Sequence, residues 1–146
     1  MKVRDCMTRQ VLTTKPQESL QTAAKLMLES DIGFIPVEDD DRLVGTLTDR
    51  DIVVRAIAKG LGPDTRVRDV MTKEVLYCYD DADLDDVADN MADIQVRRLP
   101  VVDSGKRLVG VISTGDLARE TDGEVCAMAM SGVVQPGGSH NQSTGF

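Results

Sequence analysis

Two short stretches carry the residue types best suited to chemistry. Within Arg42–Arg55 a glycine, a hydroxyl and an acid fall at Gly45, Thr48 and Asp51, and within Arg107–Asp116 the same types fall at Gly110, Ser113 and Asp116. An ionised carboxylate only accepts hydrogen bonds, so it suits a sugar diol, which offers two donors. A hydroxyl at the start of a helix stands beside free backbone N–H groups and the positive end of the helix dipole, a setting that attracts phosphate. The spacing has a second reading. Thr48 or Ser113 caps a helix, and the acid three residues on reaches back to the cap's own N–H, a capping box with Asp in place of the usual Glu or Gln. Both readings stay open at this point.

Positioning such a turn requires a strand running into a helix. Leu43, Val44, Thr46 and Leu47 suit a mostly buried strand, and Gly45 leaves room for a second backbone or a flat ligand to approach. Ile52, Val53, Ala56 and Ile57 supply an apolar helical stripe after the turn.

The whole chain is built twice. Val3-Arg4-Asp5 returns as Val67-Arg68-Asp69, Met7-Thr8 as Met71-Thr72, Val11-Leu12 as Val75-Leu76, and Ile35-Pro36-Val37 as Leu99-Pro100-Val101, each at an offset of 64 residues. From Leu43 and Leu108 onward the offset is 65, so the second copy has one extra residue in its turn. The pattern divides the chain into a first repeat over 1–60, a linker over 61–66, a second repeat over 67–122 and an extension over 123–146, disordered from about Gln135. Each repeat reads as a short strand (Val11 to Thr14 in the first), a helix, two strands and a second helix. Ser19 opens the first helix, with Leu20, Ala23, Ala24, Met27 and Leu28 on one face; Phe34–Glu38 and Arg42–Thr48 are strands; Asp49–Lys59 is the second helix, stopped by Gly60. In the second repeat Leu84, Val87, Ala88 and Met91 form the buried stripe, Asp83 and Asp86 have capping-box spacing, Arg98–Asp103 and Leu108–Ser113 are the strands, and a helix starts near Thr114. Val125–Met130 continues that helix or packs on a partner. The acidic run Glu38–Asp41 reads as a solvated turn, without the spaced ligands of a calcium loop.

Composition narrows the function classes. The 146 residues carry a net charge of −8, no Trp and only 3 % aromatic residues, which argues against both a duplex-binding face and a base-stacking platform. Cys6, Cys78 and Cys126 include no CxxC pair and fit reduced thiols. His140 is the only histidine and lies in a Gly/Ser-rich segment, so a metal site is not expected. No apolar run approaches a membrane span and no secretory signal opens the chain, so the expectation is a cytoplasmic protein without membrane or nucleic-acid partners. The sequence holds no phosphate-binding P-loop and no Cys–His pair, and an enzyme is not expected.

Taken together, the repeated Met-Thr, the helix ending near a Met, the Ile/Leu-Pro-Val strand and G-x-x-[TS]-x-x-D resemble a tandem pair of cystathionine-β-synthase (CBS) domains, a Bateman module, over roughly Val3 to Arg119. The resemblance implies an α/β (α+β) fold of two βαββα repeats packed sheet to sheet about a pseudo-two-fold axis, pairing further into a homodimer. It implies regulation through adenine-bearing ligands (AMP, ADP, ATP, possibly NAD or S-adenosylmethionine) held in clefts between the repeats, with no required cofactor and an unknown effector protein acted on in trans. By position, Asp51 and Asp116 would take ribose hydroxyls, and Thr48 and Ser113 ribose or phosphate. Val11, Leu12, Val75 and Leu76 would wall the adenine. Ile32, Gly33, Phe34, Ile35 and Pro36, with Val96, Arg97, Arg98, Leu99 and Pro100, would line the clefts.

The two copies differ in charge. Arg97-Arg98 replaces Gly33-Phe34, and Asp49-Arg50 stands where Thr114-Gly115 follows in the second copy. The resemblance places a basic residue at the Arg98 position against phosphate; Arg50 suits phosphate, Asp49 or a dimer contact; Asp49 opposes phosphate. The Asp116 cleft is therefore expected to bind a phosphorylated ligand more tightly than the Asp51 cleft. The competing function is a structural dimerisation module with empty clefts, in which the acids act only as caps.

Overall fold

The computed structural model describes residues 1–120, 127 and 130–134. It is a mixed α/β structure with two sheets and two compact units. The first unit comprises Val11–Val75 with Lys106–Leu108; the second comprises Met1–Gln10, Leu76–Gly105 and the described residues from Val109 on. Each unit thus takes its opening turn from the other sequence repeat.

In the first unit Ser19 caps α1 (Leu20–Ser30) by accepting from the Thr22 N–H. The helix ends at Asp31, whose φ of 52° is left-handed, with its N–H on the Met27 carbonyl. β1 (Phe34–Asp39) and β2 (Arg42–Thr48) form an antiparallel pair in the register Phe34↔Thr48 to Asp39↔Arg42, with a bulge between Val37 and Glu38. Asp40 and Asp41, at φ 51° and 64°, make the two-residue turn between them. Pro36, which donates no N–H, sits one residue from the bulge, and its carbonyl accepts from Thr14 N. Thr48 leads into α2 (Asp49–Asp51), and the helical path continues as wider π turns over Ile52–Ala56 and a 3-10 turn over Ile57–Lys59, ending at Gly60 with φ 78°.

In the second unit Asp83 caps α3 (Leu84–Ile94), which ends at left-handed Gln95. The three-stranded sheet has the order β3 (Cys78–Tyr79), β4 (Arg98–Val102), β5 (Leu108–Ser113), with β3 parallel to β4. α4 (Thr114–Glu120) follows β5.

Three expectations require correction. The strand over Val11 to Thr14 shrinks to one parallel bridge, Thr14↔Val37, the counterpart of Cys78↔Val101 in the longer β3. Asp83 accepts from Asp85 N at 2.9 Å as a simple cap, not as a box with Asp86. In the first repeat only Leu20, Ala23 and Met27 of the helical stripe are buried; Ala24 and Leu28 are exposed, and so are Val53 and Ile57 of the later helix. The second-repeat stripe of Leu84, Val87, Ala88 and Met91 is buried throughout. The assignments made for 123–126 and from Gln135 on, including Cys126 and His140, lie outside the described residues, as does most of Val125–Met130.

The cores explain the shared units. Val67 and Val70 pack with Leu20, Met27, Ile35, Val37 and Leu47 in the first unit. Val3 and Cys6 pack with Leu84, Met91, Leu99, Val101 and Ile112 in the second. Gly45 is where a second backbone comes close: a Cβ there would lie 2.8 Å from both Met71 Sδ and the Thr72 carbonyl. Gly110 receives Met7 and Thr8 in the same way, with a Cβ 2.8 Å from the Thr8 carbonyl. The bridges Thr46↔Thr72 and Thr8↔Val111 pin these contacts, so the repeated Met-Thr is the part that seats each unit's glycine strand.

Candidate functional site

Both hydroxyl–acid turns close as capping boxes. The Thr48 N–H donates to Asp51 Oδ2 at 3.0 Å and the Asp51 N–H donates to Thr48 Oγ1 at 3.1 Å. Ser113 and Asp116 repeat the pair at 3.0 and 3.1 Å. Of the two readings left open by the spacing, the capping-box geometry is formed in both turns: one oxygen of each carboxylate is held by a backbone N–H, because a cap with two exposed N–H groups is satisfied most cheaply by its own third residue.

The remaining oxygens differ. Asp51 Oδ1 lies 3.8 Å from Arg55 Nε. Asp116 is only 3 % exposed; its Oδ1 is hydrogen-bonded by Arg119 and lies 3.4 Å from Thr8 Oγ1. A carboxylate oxygen has more than one lone pair, so Oδ1 can take a further donor, and the Arg119 side chain, 66 % exposed, is cheap to displace. Arg55 and Arg119 are the neighbours of these carboxylates that sequence reading passed over. Their signal was available in the i+4 and i+3 spacing from each Asp.

The strand before each turn brings the 32–36 and 96–100 residues alongside. Phe34 pairs with Thr48, Ile35 with Leu47 and Pro36 with Thr46. The Asp49 N–H donates to the Gly33 carbonyl at 3.1 Å, and Thr114 N–H to the Arg97 carbonyl at 3.0 Å, so positions 33 and 49, and 97 and 114, are direct neighbours. Arg97 Nε is buried and has no hydrogen-bond partner among the described residues. Arg98 is exposed at the start of β4, and Arg50 is exposed with its N–H on Asp49 Oδ1. Ile35, Pro36, Val96, Leu99 and Pro100 are buried, with Ile35 in the first core and Val96 and Leu99 in the second, while Ile32 packs at the margin of the first. Val11, Val75 and Leu76 are half-buried and Leu12 is exposed, on the segments leading to the parallel bridge and β3; no hydrogen bond or strand pairing described here ties them to the turns.

Among the described residues no group of three His, Cys, Asp or Glu side chains is arranged to hold a metal, and no helix is long and apolar enough to cross a membrane. Burial alone pushes the Cys78 thiol up to about 12, and burial with the charges of Glu120 and Asp5 raises that of Cys6.

Comparison with known proteins places this arrangement. The family model described as CBS domain matches residues 3–57 and 67–123. The CBS domain-containing protein YhcV of Bacillus subtilis is 44 % identical over 116 residues, 80 % of this chain and 82 % of the relative. Hypoxic response protein 1 of Mycobacterium tuberculosis is 38 % identical over 135 residues, 91 % and 94 % of the two chains. A crystal structure of Hypoxic Response Protein I with two coordinated zinc ions superposes with a TM-score of 0.73 at 40 % identity, over 82 % and 98 % of the chains. CBSX2 in complex with AMP gives 0.71 at 33 %, over 81 % and 93 %. The CBS domain pair of MJ0100 in complex with 5′-methylthioadenosine and S-adenosyl-L-methionine gives 0.72 at 29 %, over 82 % and 94 %.

Proposed function

This chain belongs to the CBS domain family as a tandem pair, and from that premise we propose that it is a regulatory module that binds adenine nucleotides at its two hydroxyl–acid turns and acts on a partner protein in trans. The observation that carries the reading is the buried, unpartnered Arg97 Nε beside the Ser113–Asp116 turn. A buried guanidinium N–H left unpaired is costly, and an anion is its natural complement. In this reading Asp116 Oδ1 exchanges Arg119 for a ribose hydroxyl, Ser113 supports the ribose or phosphate, and Arg97 and Arg98 meet phosphate. Thr48, Arg50 and Asp51 form the weaker counterpart for a phosphorylated ligand. Related CBS pairs captured with AMP, methylthioadenosine and S-adenosylmethionine support an adenine-bearing ligand. The site residues do the work of holding a ligand, and the module regulates without catalysing.

The module pairs with a second copy through the first unit. In the second unit the residue-92 position of α3 is covered by the chain's own residues 130–134, with Gly132 against Ala92 and Val133 fully buried. The equivalent Leu28 on α1 is 81 % exposed, and Val53 and Ile57 are 58 % and 61 % exposed. Such bare apolar side chains fit an interface.

Titration calorimetry and thermal unfolding with AMP, ATP, NAD and S-adenosylmethionine test the ligand reading. At least one should give saturable heat and raise Tm; at a ligand concentration of 100 Kd the stabilisation is about 2.7 kcal/mol. Absence of both signals with all four overturns it. The closed capping boxes favour one alternative, a structural dimerisation module whose acids only cap; under it Asp51→Ala and Asp116→Ala lower stability but leave partner binding intact.

A further inference from the structure

Matched positions beside each turn carry opposite charge in the two units. In the first unit position 33 is Gly, and the space its side chain would fill is taken by the Asp49 carboxylate, with Oδ2 only 2.8 Å from where a Cβ would stand. In the second unit the backbone hydrogen bond is unchanged, but position 97 carries a guanidinium and position 114 a neutral Thr. Asp49 Oδ1 accepts from the Arg50 N–H, and the neighbouring ion pairs Asp51–Arg55 and Asp116–Arg119 do not involve Asp49. Gly33 is thus the room that lets an acid sit over the strand, whereas in the second unit the matching positions are Arg97 and a neutral Thr114.

We infer that the Gly33–Asp49 pair makes the Thr48–Asp51 turn selective for an adenine ligand without a phosphate, neutral or cationic at its 5′ end, while Arg97–Thr114 reserves the other turn for a phosphorylated one. The inference rests on the proposed nucleotide-binding reading and adds a division of labour to it: the chain reports a nucleotide and a nucleoside or sulfonium nucleoside together. The physical basis is Coulombic. A carboxylate a few ångströms from a phosphate repels it, and from a sulfonium attracts it, with an energy that weakens as salt screens it.

The test is calorimetry of the full chain with AMP and with S-adenosylmethionine, at low and high salt, for wild type, Asp49→Asn and the transplanted pair Gly33→Arg/Asp49→Thr. Asn keeps the acceptor for the Arg50 N–H, and Asp49 is exposed, so the fold is retained; thermal unfolding checks this. Wild type should take up AMP in one strong and one weak event. Asp49→Asn should strengthen the weak AMP event about tenfold, the scale of one unit charge at a partly exposed site, and weaken S-adenosylmethionine. The double variant should bind two AMP per chain with similar affinity, and the gain should shrink at high salt. Retained binding with the same AMP-to-S-adenosylmethionine preference in all three proteins overturns this inference alone. No uptake of either ligand by any of the three overturns it together with the reading beneath it.

Discussion

At the scale of single residues, Asp51 and Asp116 each serve a cap with one oxygen and leave the other to an arginine. Their environments set different costs. Asp116→Ala removes the cap together with the Arg119 and Thr8 contacts of a buried carboxylate, and should cost about 2 kcal/mol, against about 1 kcal/mol for the more accessible Asp51→Ala. Urea unfolding of both variants measures the order. Equal losses would mean that the Arg119 and Thr8 contacts add nothing. Cys78 offers a pH test. Its thiol rises from 9.0 in the unfolded chain to about 12 in the fold, so folding holds it protonated. The stability this contributes is complete below pH 9 and declines as pH climbs from 9 toward 12. At pH 9, iodoacetamide should label Cys78 in urea and spare it in the native protein; equal labelling would contradict its burial.

At the scale of elements, the two-strand hairpin turns through Asp40 and Asp41, both left-handed. Asp41→Gly should stabilise by about 0.5 kcal/mol, since glycine adopts this conformation without steric cost. Gly110→Ala should destabilise by about 1–3 kcal/mol, because a methyl group there meets the Thr8 carbonyl and Met7 Sδ. Chemical denaturation checks both. The elements were largely legible. The bounds of β2 and of α1 with its Ser19 cap follow from alternation and capping signals that are local in the chain. The left-handed ends at Asp31 and Gln95 were not visible, because neither residue is a glycine and the conformation is imposed by the N–H bonds back to Met27 and Met91. Nor was the exposure of Leu28, Val53 and Ile57, because apolarity marks a face that needs covering without saying whether the same chain covers it.

At the scale of the molecule, each compact unit borrows its opening turn from the other repeat, which sequence offsets alone did not reveal: Met7-Thr8 seats Gly110, and Met71-Thr72 seats Gly45. The two candidate turns were legible as residue pairs and charges, whereas the closed state of both capping boxes depends on geometry that spacing leaves open. The bare apolar residues of the first unit give a solution test. Sedimentation should report a dimer for wild type and a folded monomer for Val53→Asp/Ile57→Asp; a monomeric wild type would contradict pairing through this face. The central claim meets its most direct test in a crystal structure grown with AMP. The account predicts ribose hydroxyls within about 2.7–3.0 Å of Asp116 Oδ1, Arg119 turned away, and phosphate on Arg97. Crystals from saturating AMP that show the Arg119–Asp116 pair intact, with no nucleotide at either turn, would contradict it.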